Sequence, residues 1–205
     1  MVAGVLLAGG RSRRMGGGDK CLRPVGGKPM LSRAVARARP QVGPLILNAN
    51  GDPARFATFG LPVIADPVEG FAGPLAGVLA GLLWLRDHNP QVSWLASFAT
   101  DVPFFPMDLV ERLMAACAAG DADLACAESG GRTHPVFGLW PVRLTETLRH
   151  DLIEGGARKV DGWTARYRVA TVAYPATPFD PFLNVNRPED EAEVGRLIAA
   201  GTAPS

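Results

Sequence analysis

The apolar residues of the chain fall into two kinds of segment that alternate along most of its length. One kind is short and almost wholly apolar; the other is longer, with apolar positions three and four residues apart. "VAGVLLA", from Val2, is the first unbroken run and reads as a central strand covered on both faces. "PMLSRAVARA" follows as a helix, "PLILNAN" as a strand, "PARFATF" as a short helix and "LPVIAD" as a third strand. In "GPLAGVLAGLLWLRD", Leu75, Val78, Leu79, Leu82 and Leu83 lie at helical spacing. "SWLASFATD" is a fourth strand, "MDLVERLMAACAAG" a helix stopping at Gly120, and "ADLACAES" a fifth strand. "HPVFGLWP", "RLTETLRHDLIEG" and "RVATVAY" continue as strand, helix and strand. A last helix starts at Pro188 with Glu189, Asp190 and Glu191 in its first turn. Carboxylates there complement the helix dipole, so they read as helix-end stabilisers rather than catalysts.

This alternation predicts an α/β fold: three Rossmann-like layers with a mainly parallel sheet between helices. No repeat, low-complexity segment or linker interrupts it, so residues 1–205 are expected to form a single domain with a frayed tail over about 201–205. In open sheets of this kind, ligands sit at the carboxyl ends of the strands. That rule gathers the polar residues into one crevice. The loop from Gly9 to Lys20 follows strand one, Asn48 and Asn50 end strand two, and Asp66 ends strand three. Asp101 ends strand four, and the stretch from Glu128 to His134 follows strand five.

Charge sharpens the picture locally. The net charge of the 205 residues is +1, which gives no general pull toward nucleic acid or membrane. Arg11, Arg13, Arg14 and Lys20 are clustered, however, opposed only by Asp19. Basic charge beside a glycine loop points to a small anionic ligand. No apolar stretch reaches the roughly 20 residues needed to cross a bilayer. In "MVAGVLLAGGRSRR" the charges follow the apolar run, the reverse of a signal peptide, so a cytoplasmic location is expected. Cys21, Cys117 and Cys126 form no CxxC pair and read as buried or incidental thiols.

Two familiar phosphate loops fail on inspection. Around "GGKP", position 22 is Leu where a Walker A loop needs Gly, and Pro29 stands where Ser or Thr is required. After strand one, Gly9 and Gly10 are followed by Arg11, which breaks G-x-G-x-x-G. What remains is L-A-G-G-x-S-x-R-M-G-G-x-D-K. Gly9 and Gly10 let backbone N–H groups close on a ligand, while Arg14 and Lys20 can neutralise a triphosphate. A solvated basic turn is the plainer alternative.

With "LLAGGRSRRMGGGDK", "LILNAN", "VIADP", "GPLAGVLAGL", "ATDVPF", "RTHPVFGLW" and "FLNVNRPED" in order over nearly the whole chain, the sequence resembles the MobA-like nucleotidyltransferases. The last two segments resemble the molybdenum cofactor guanylyltransferase branch. The resemblance implies the nucleotidyltransferase fold and transfer of GMP from GTP to molybdenum-loaded molybdopterin (Mo-molybdopterin), with release of pyrophosphate. Implied partners are those two substrates, with molybdopterin-synthesis proteins or apo-molybdoenzymes beyond them, and the chain is expected to act as a monomer without nucleic acid or membrane. A cytidylyltransferase for the same cofactor, or another MobA-like nucleotidyltransferase such as a sugar-1-phosphate enzyme, is the nearest alternative, and a non-catalytic cofactor carrier is the alternative of another class.

On the resemblance, Asp101 holds Mg²⁺, with Mn²⁺ an admissible substitute, and acts catalytically with Arg14 and Lys20. Leu7, Ala8, Gly9, Gly10, Lys20, Asn48, Asp66 and Asp101 form the GTP set. Asn48 and Asp66 can meet either guanine or ribose, and both also suit turns. Gly77, Arg132, His134, Asn184, Asn186 and Arg187 are the molybdopterin candidates. Gly73, Gly77 and Gly81 also make a side-chain-free ridge suited to close packing, and Asn186 equally suits a helix cap.

Overall fold

Successive residues of the first apolar run are buried in opposite directions. Ala3 and Val5 pack with Leu75, Val78, Leu79 and Leu148, whereas Leu6 packs with Leu31, Ala34, Val110 and Leu113. Period-two burial into two separate clusters makes this a strand between two helical layers. The structure is a computed structural model describing residues 1–9, 19–68, 73–157 and 159–203.

In chain order the elements are β1 (Val2–Leu7), β2 (Pro24–Val25), β3 (Lys28–Pro29), α1 (Met30–Ala38), β4 (Leu45–Asn48) and β5 (Val63–Ile64). Then come α2 (Pro74–His88), β6 (Trp94–Ala99), α3 (Leu109–Gly120), β7 (Leu124–Ser129) and β8 (Arg132–Pro141). The chain continues with α4 (Thr145–Ile153), α5 (Val160–Thr164), β9 (Val169–Tyr174) and α6 (Pro188–Ala199). The main sheet runs β5-β4-β1-β6-β8-β7-β9, and only β8 is antiparallel to its neighbours. α1 and α3 cover one face, α2 and α4 the other. The chain leaves β1 toward β4 and β5, then recrosses through α2 to β6 on the far side of β1. That reversal puts a crevice at the carboxyl ends of β4, β1 and β6.

The Ser97 hydroxyl, inside the sheet layer, is paired. Ser97, fully buried, accepts from the Trp140 indole N–H (2.7 Å) and donates to the Val136 carbonyl (2.6 Å). A third apolar cluster of Val25, Met30, Phe104, Val185 and Val194 seats α6 and the β2–β3 ribbon beside the end of β6.

The fold class matches the alternation of apolar runs, and the differences trace to glycine pairs and short elements. Gly26 and Gly27 have φ of +56° and +75°, and Gly130 and Gly131 have +55° and +73°. Two consecutive positive φ values suit two-residue hairpin turns. The "GGKP" stretch is therefore the turn and second strand of the β2–β3 hairpin. The second pair joins β7 to β8 and extends β8 back from His134 to Arg132, so Arg132 lies in a strand and not in a loop. The third expected strand shrinks to Val63–Ile64, and "PARFATF" is a 3-10 helix started by Asp52, whose carboxylate accepts from Ala54 N–H at 2.9 Å. α5 had no periodic signal because it is only five residues long. After α6, Gly201 has φ +70°, and the N–H groups of Thr202 and Ala203 bond back to Leu197 O at 2.9 and 3.1 Å. No helix among the described residues is long and apolar enough to cross a membrane.

Candidate active site

"ATDVPFF" explains why Asp101 faces the crevice. Thr100 donates its hydroxyl to Leu7 O (3.0 Å), locking the ends of β6 and β1 together, while Val102 and Phe105 are buried in the cluster that holds Leu6, and Phe104 in the third cluster. Asp101 is left half-buried between them. Its Oδ2 accepts from Lys20 Nζ at 2.6 Å, with the lysine side chain 12% exposed and the aspartate 27%. Lys20 is held by the 3-10 turn Lys20–Leu22, which buries Cys21.

The segment "NVN" reaches the same point from the other end of the chain. Its central Val185 is fully buried in the third cluster, and its N–H donates to Asp101 O at 2.9 Å. Extended backbone sends neighbouring side chains to opposite sides, so Asn184 and Asn186 both face Lys20. Lys20 Nζ donates to Asn186 Oδ1 and, more weakly at 3.5 Å, to Asn184 Oδ1. Asn186 is therefore not the cap of α6. The Asp190 carboxylate does that work, accepting from Asn186 N–H (2.7 Å) and Arg187 N–H (2.8 Å).

On the other side of β1, Asn48 ends β4 and is buried. Its amide nitrogen donates to Asp66 Oδ1 (3.0 Å) and Ile64 O (3.3 Å), so Asn48 Oδ1 is an acceptor of fixed orientation. Gly77 makes room for it: a Cβ there would stand 2.4 Å from Asn48 Oδ1 and 2.7 Å from Leu7 Cδ2. Gly77 thus lies with Asn48 and Leu7, across β1 from Asn184 and Asn186. Leu7 and Ala8 line the junction, Ala8 N–H donating to Asn48 O at 2.9 Å, and Gly9 is exposed. Gly77→Ala is expected to displace the Asn48 amide and weaken GTP binding about tenfold, measured by calorimetry, with little change in far-UV circular dichroism.

A third group surrounds His134. Buried Ser129 donates to Asp180 Oδ1 (2.8 Å) and lies 2.7 Å from His134 Nε2, while the imidazole stacks on Phe182 at 4.6 Å. Burial lowers the His134 pKa below its ordinary value, partly offset by the Asp180 carboxylate. Arg132 and Arg187 are exposed, at the start of β8 and the N-terminus of α6. Cys21 is no nucleophile: burial first, and the Asp19 carboxylate second, push its thiol up to about 12.

A family model for the MobA-like NTP transferase domain matches residues 4–169. A molybdenum cofactor guanylyltransferase from Bradyrhizobium sp. is 60% identical over 198 residues, spanning 97% of this chain and 93% of its own length. Another, from Rhodopseudomonas palustris (strain BisB5), is 58% identical over 193 residues, spanning 94% and 92%. The chain belongs to the MobA-like NTP transferase family. Within that family it stands in the molybdenum cofactor guanylyltransferase branch. Among solved structures, molybdopterin-guanine dinucleotide biosynthesis protein A from Archaeoglobus fulgidus is similar in fold, with a TM-score of 0.74 at 21% identity over 98% of this chain and 100% of that one.

In this MobA-like chain, the candidates form three neighbouring groups: Asp101 with Lys20, Asn184 and Asn186; Asn48 and Asp66 with Leu7, Ala8 and Gly77; and His134 near Arg132. Gly10 and Arg14 lie outside the described residues. Residues not singled out beforehand are Ser129, Asp180 and Arg55. An Asp before Pro and an Arg in a polar loop carry no motif, so only the folded geometry brings them forward.

Proposed function

We propose that this chain transfers GMP from GTP to the terminal phosphate of Mo-molybdopterin and releases pyrophosphate. A phosphate oxygen of the pterin attacks the α-phosphorus, a new P–O bond forms, and the α–β phosphoanhydride bond breaks. The observation that carries the reading is the division of the crevice by β1. Hydrogen-bond acceptors, Asn48 Oδ1 and the Asp66 carboxylate, stand on the β4 side, and the Lys20–Asp101 pair stands on the β6 side. Guanine offers N1–H and N2–H₂ donors to the first group, and the triphosphate extends across the glycine loop to the second.

Both substrates are anionic, so the protein's work is positioning and charge neutralisation. Lys20 supplies an ammonium to the phosphates, and Arg14 a guanidinium. Asp101 suits a hard divalent cation, Mg²⁺ or Mn²⁺, which takes one or two carboxylates and fills its other positions with water and phosphate oxygens. Among the described residues no group of three or more His, Cys, Asp or Glu forms a rival site. A cation bound there supplies further charge neutralisation at the phosphates. Asn184, Asn186, Arg132, His134 and Arg187 are assigned to the pterin side, because the segment 180–187 runs from His134 to Lys20 along that edge.

Pyrophosphate release with Mg²⁺ and Mo-molybdopterin, run in parallel with GTP and CTP, tests the reading. Release with GTP alone supports it. Release with CTP alone makes the chain a cytidylyltransferase, and nucleotide binding without any release makes it a carrier.

A further inference from the structure

Asp66 is held from two sides, and the second holder is Asn50. The Asn50 amide nitrogen donates to Asp66 Oδ2 at 2.7 Å, and Asn50 Oδ1 accepts from the Asp66 N–H at 2.8 Å. One side chain thereby grips both the backbone and the carboxylate of Asp66. Asn48 takes the other carboxylate oxygen at 3.0 Å. With each oxygen fixed by one amide, the carboxylate plane cannot rotate, and each oxygen keeps a lone pair for a further donor.

Asn50 is itself anchored. Gly51, with φ +86°, turns the chain back so that Arg55 Nη2 donates to Asn50 O at 2.6 Å. The same guanidinium donates through Nε to Asp52 O (2.9 Å), pairs through Nη1 with the Asp19 carboxylate (3.0 Å), and sits 4.9 Å from the Phe56 ring centroid. Asp19 directly precedes Lys20. Arg55 therefore ties the loop after β4 to the end of the glycine loop, and Asn50 passes that anchorage to Asp66.

We propose that Asn50, braced by Arg55, is a specificity-positioning residue that sets this site for guanine over cytosine by fixing the orientation of the Asp66 carboxylate. The proposal rests on the guanylyl-transfer reading above. Guanine presents two adjacent donor groups, N1–H and N2–H₂, beside one acceptor, O6. Cytosine presents one donor, N4–H₂, beside two acceptors, N3 and O2. A fixed carboxylate rewards the first pattern and sets oxygen lone pairs against the acceptors of the second. A carboxylate free to rotate can turn away from those acceptors, so discrimination falls without loss of the phosphate contacts.

The test is calorimetric binding of GTP, CTP and ITP, which lacks the 2-amino group, to the parent, Asn50→Ala and Arg55→Met. The parent is expected to prefer GTP over both. In Asn50→Ala the GTP Kd rises at least about tenfold while the CTP Kd stays within about twofold, so the GTP/CTP ratio collapses. The GTP/ITP ratio falls with it, and Arg55→Met moves both ratios in the same direction by less. Asn50 is exposed and lies outside the three apolar clusters, so folding is expected to survive, checked by thermal unfolding. An unchanged GTP/CTP ratio, or equal weakening of all three nucleotides, overturns the proposal. A parent protein that fails to prefer GTP overturns the guanylyl reading itself, and the proposal with it.

Discussion

Replacing Asp101 with Asn lowers GTP-dependent pyrophosphate release by at least about 100-fold, while the protein unfolds within a few degrees of the parent. The fold survives because Asp101 is placed by its backbone and its neighbours. Its carbonyl accepts from Val185 N–H, and Val102, Phe104 and Phe105 are buried in two of the apolar clusters. None of those contacts involves the carboxylate. The Asp101 side chain has one ion-pair partner among the described residues, Lys20 at 2.6 Å, and Asn preserves the shape while removing the charge. A neutral amide is a poor ligand for a hard cation and cannot balance Lys20. Loss should therefore fall on turnover, with GTP affinity changed by less than about tenfold, since the proposed function gives guanine to Asn48 and Asp66 on the other side of β1. Single-turnover kinetics beside calorimetry separates the two. Turnover within about threefold of the parent would remove Asp101 from the catalytic set.

The legible part of this site is the part carried by strand ends. Asp101, Asn48 and Asp66 each stand just after an apolar run, and the parallel α/β rule brings such positions together without further information. Burial of Val5 and Leu6 in opposite clusters is likewise written in an unbroken apolar run. What stayed hidden depends on register and on loops. "NVN" gives no sign that its two amides face a lysine more than 160 positions away; that follows only once Val185 is buried and its N–H has found Asp101 O. Gly130–Gly131 reads as a loop until both positive φ values make it a hairpin, and the hairpin then takes Arg132 into the strand that begins at His134 in the apolar pattern. Gly77 shows the same gap between pattern and place. Its spacing with Gly73 and Gly81 suggests a packing ridge, yet the near contact it avoids is with Asn48 Oδ1, at the end of β4.

Lys20→Met is expected to be the other severe variant, and its combination with Asp101→Asn is more informative than either alone. The ammonium has three donors and faces three acceptors: Asp101 Oδ2, Asn186 Oδ1 and the more distant Asn184 Oδ1. Methionine keeps the stem packed beside buried Cys21 but leaves the carboxylate and both amides without their shared donor. It also strips a positive charge from the place that the proposed function gives to the triphosphate. Release of pyrophosphate should fall about 100- to 1000-fold, with GTP affinity falling as well, unlike Asp101→Asn. Asn186→Ala removes one acceptor while leaving the charge in place, so a loss of about tenfold in turnover is expected. If Lys20 and Asp101 act as one unit, the double variant loses no more than about threefold beyond the worse single. Fully multiplied losses would mean that the two serve separate steps, with the ion pair a feature of the free protein alone. Lys20→Arg separates charge from shape. Arginine keeps the charge but brings a planar fork to a site built for a compact ammonium, and recovery of less than about a tenth of parental turnover is expected, because Asn184 and Asn186 converge on a point rather than a plane.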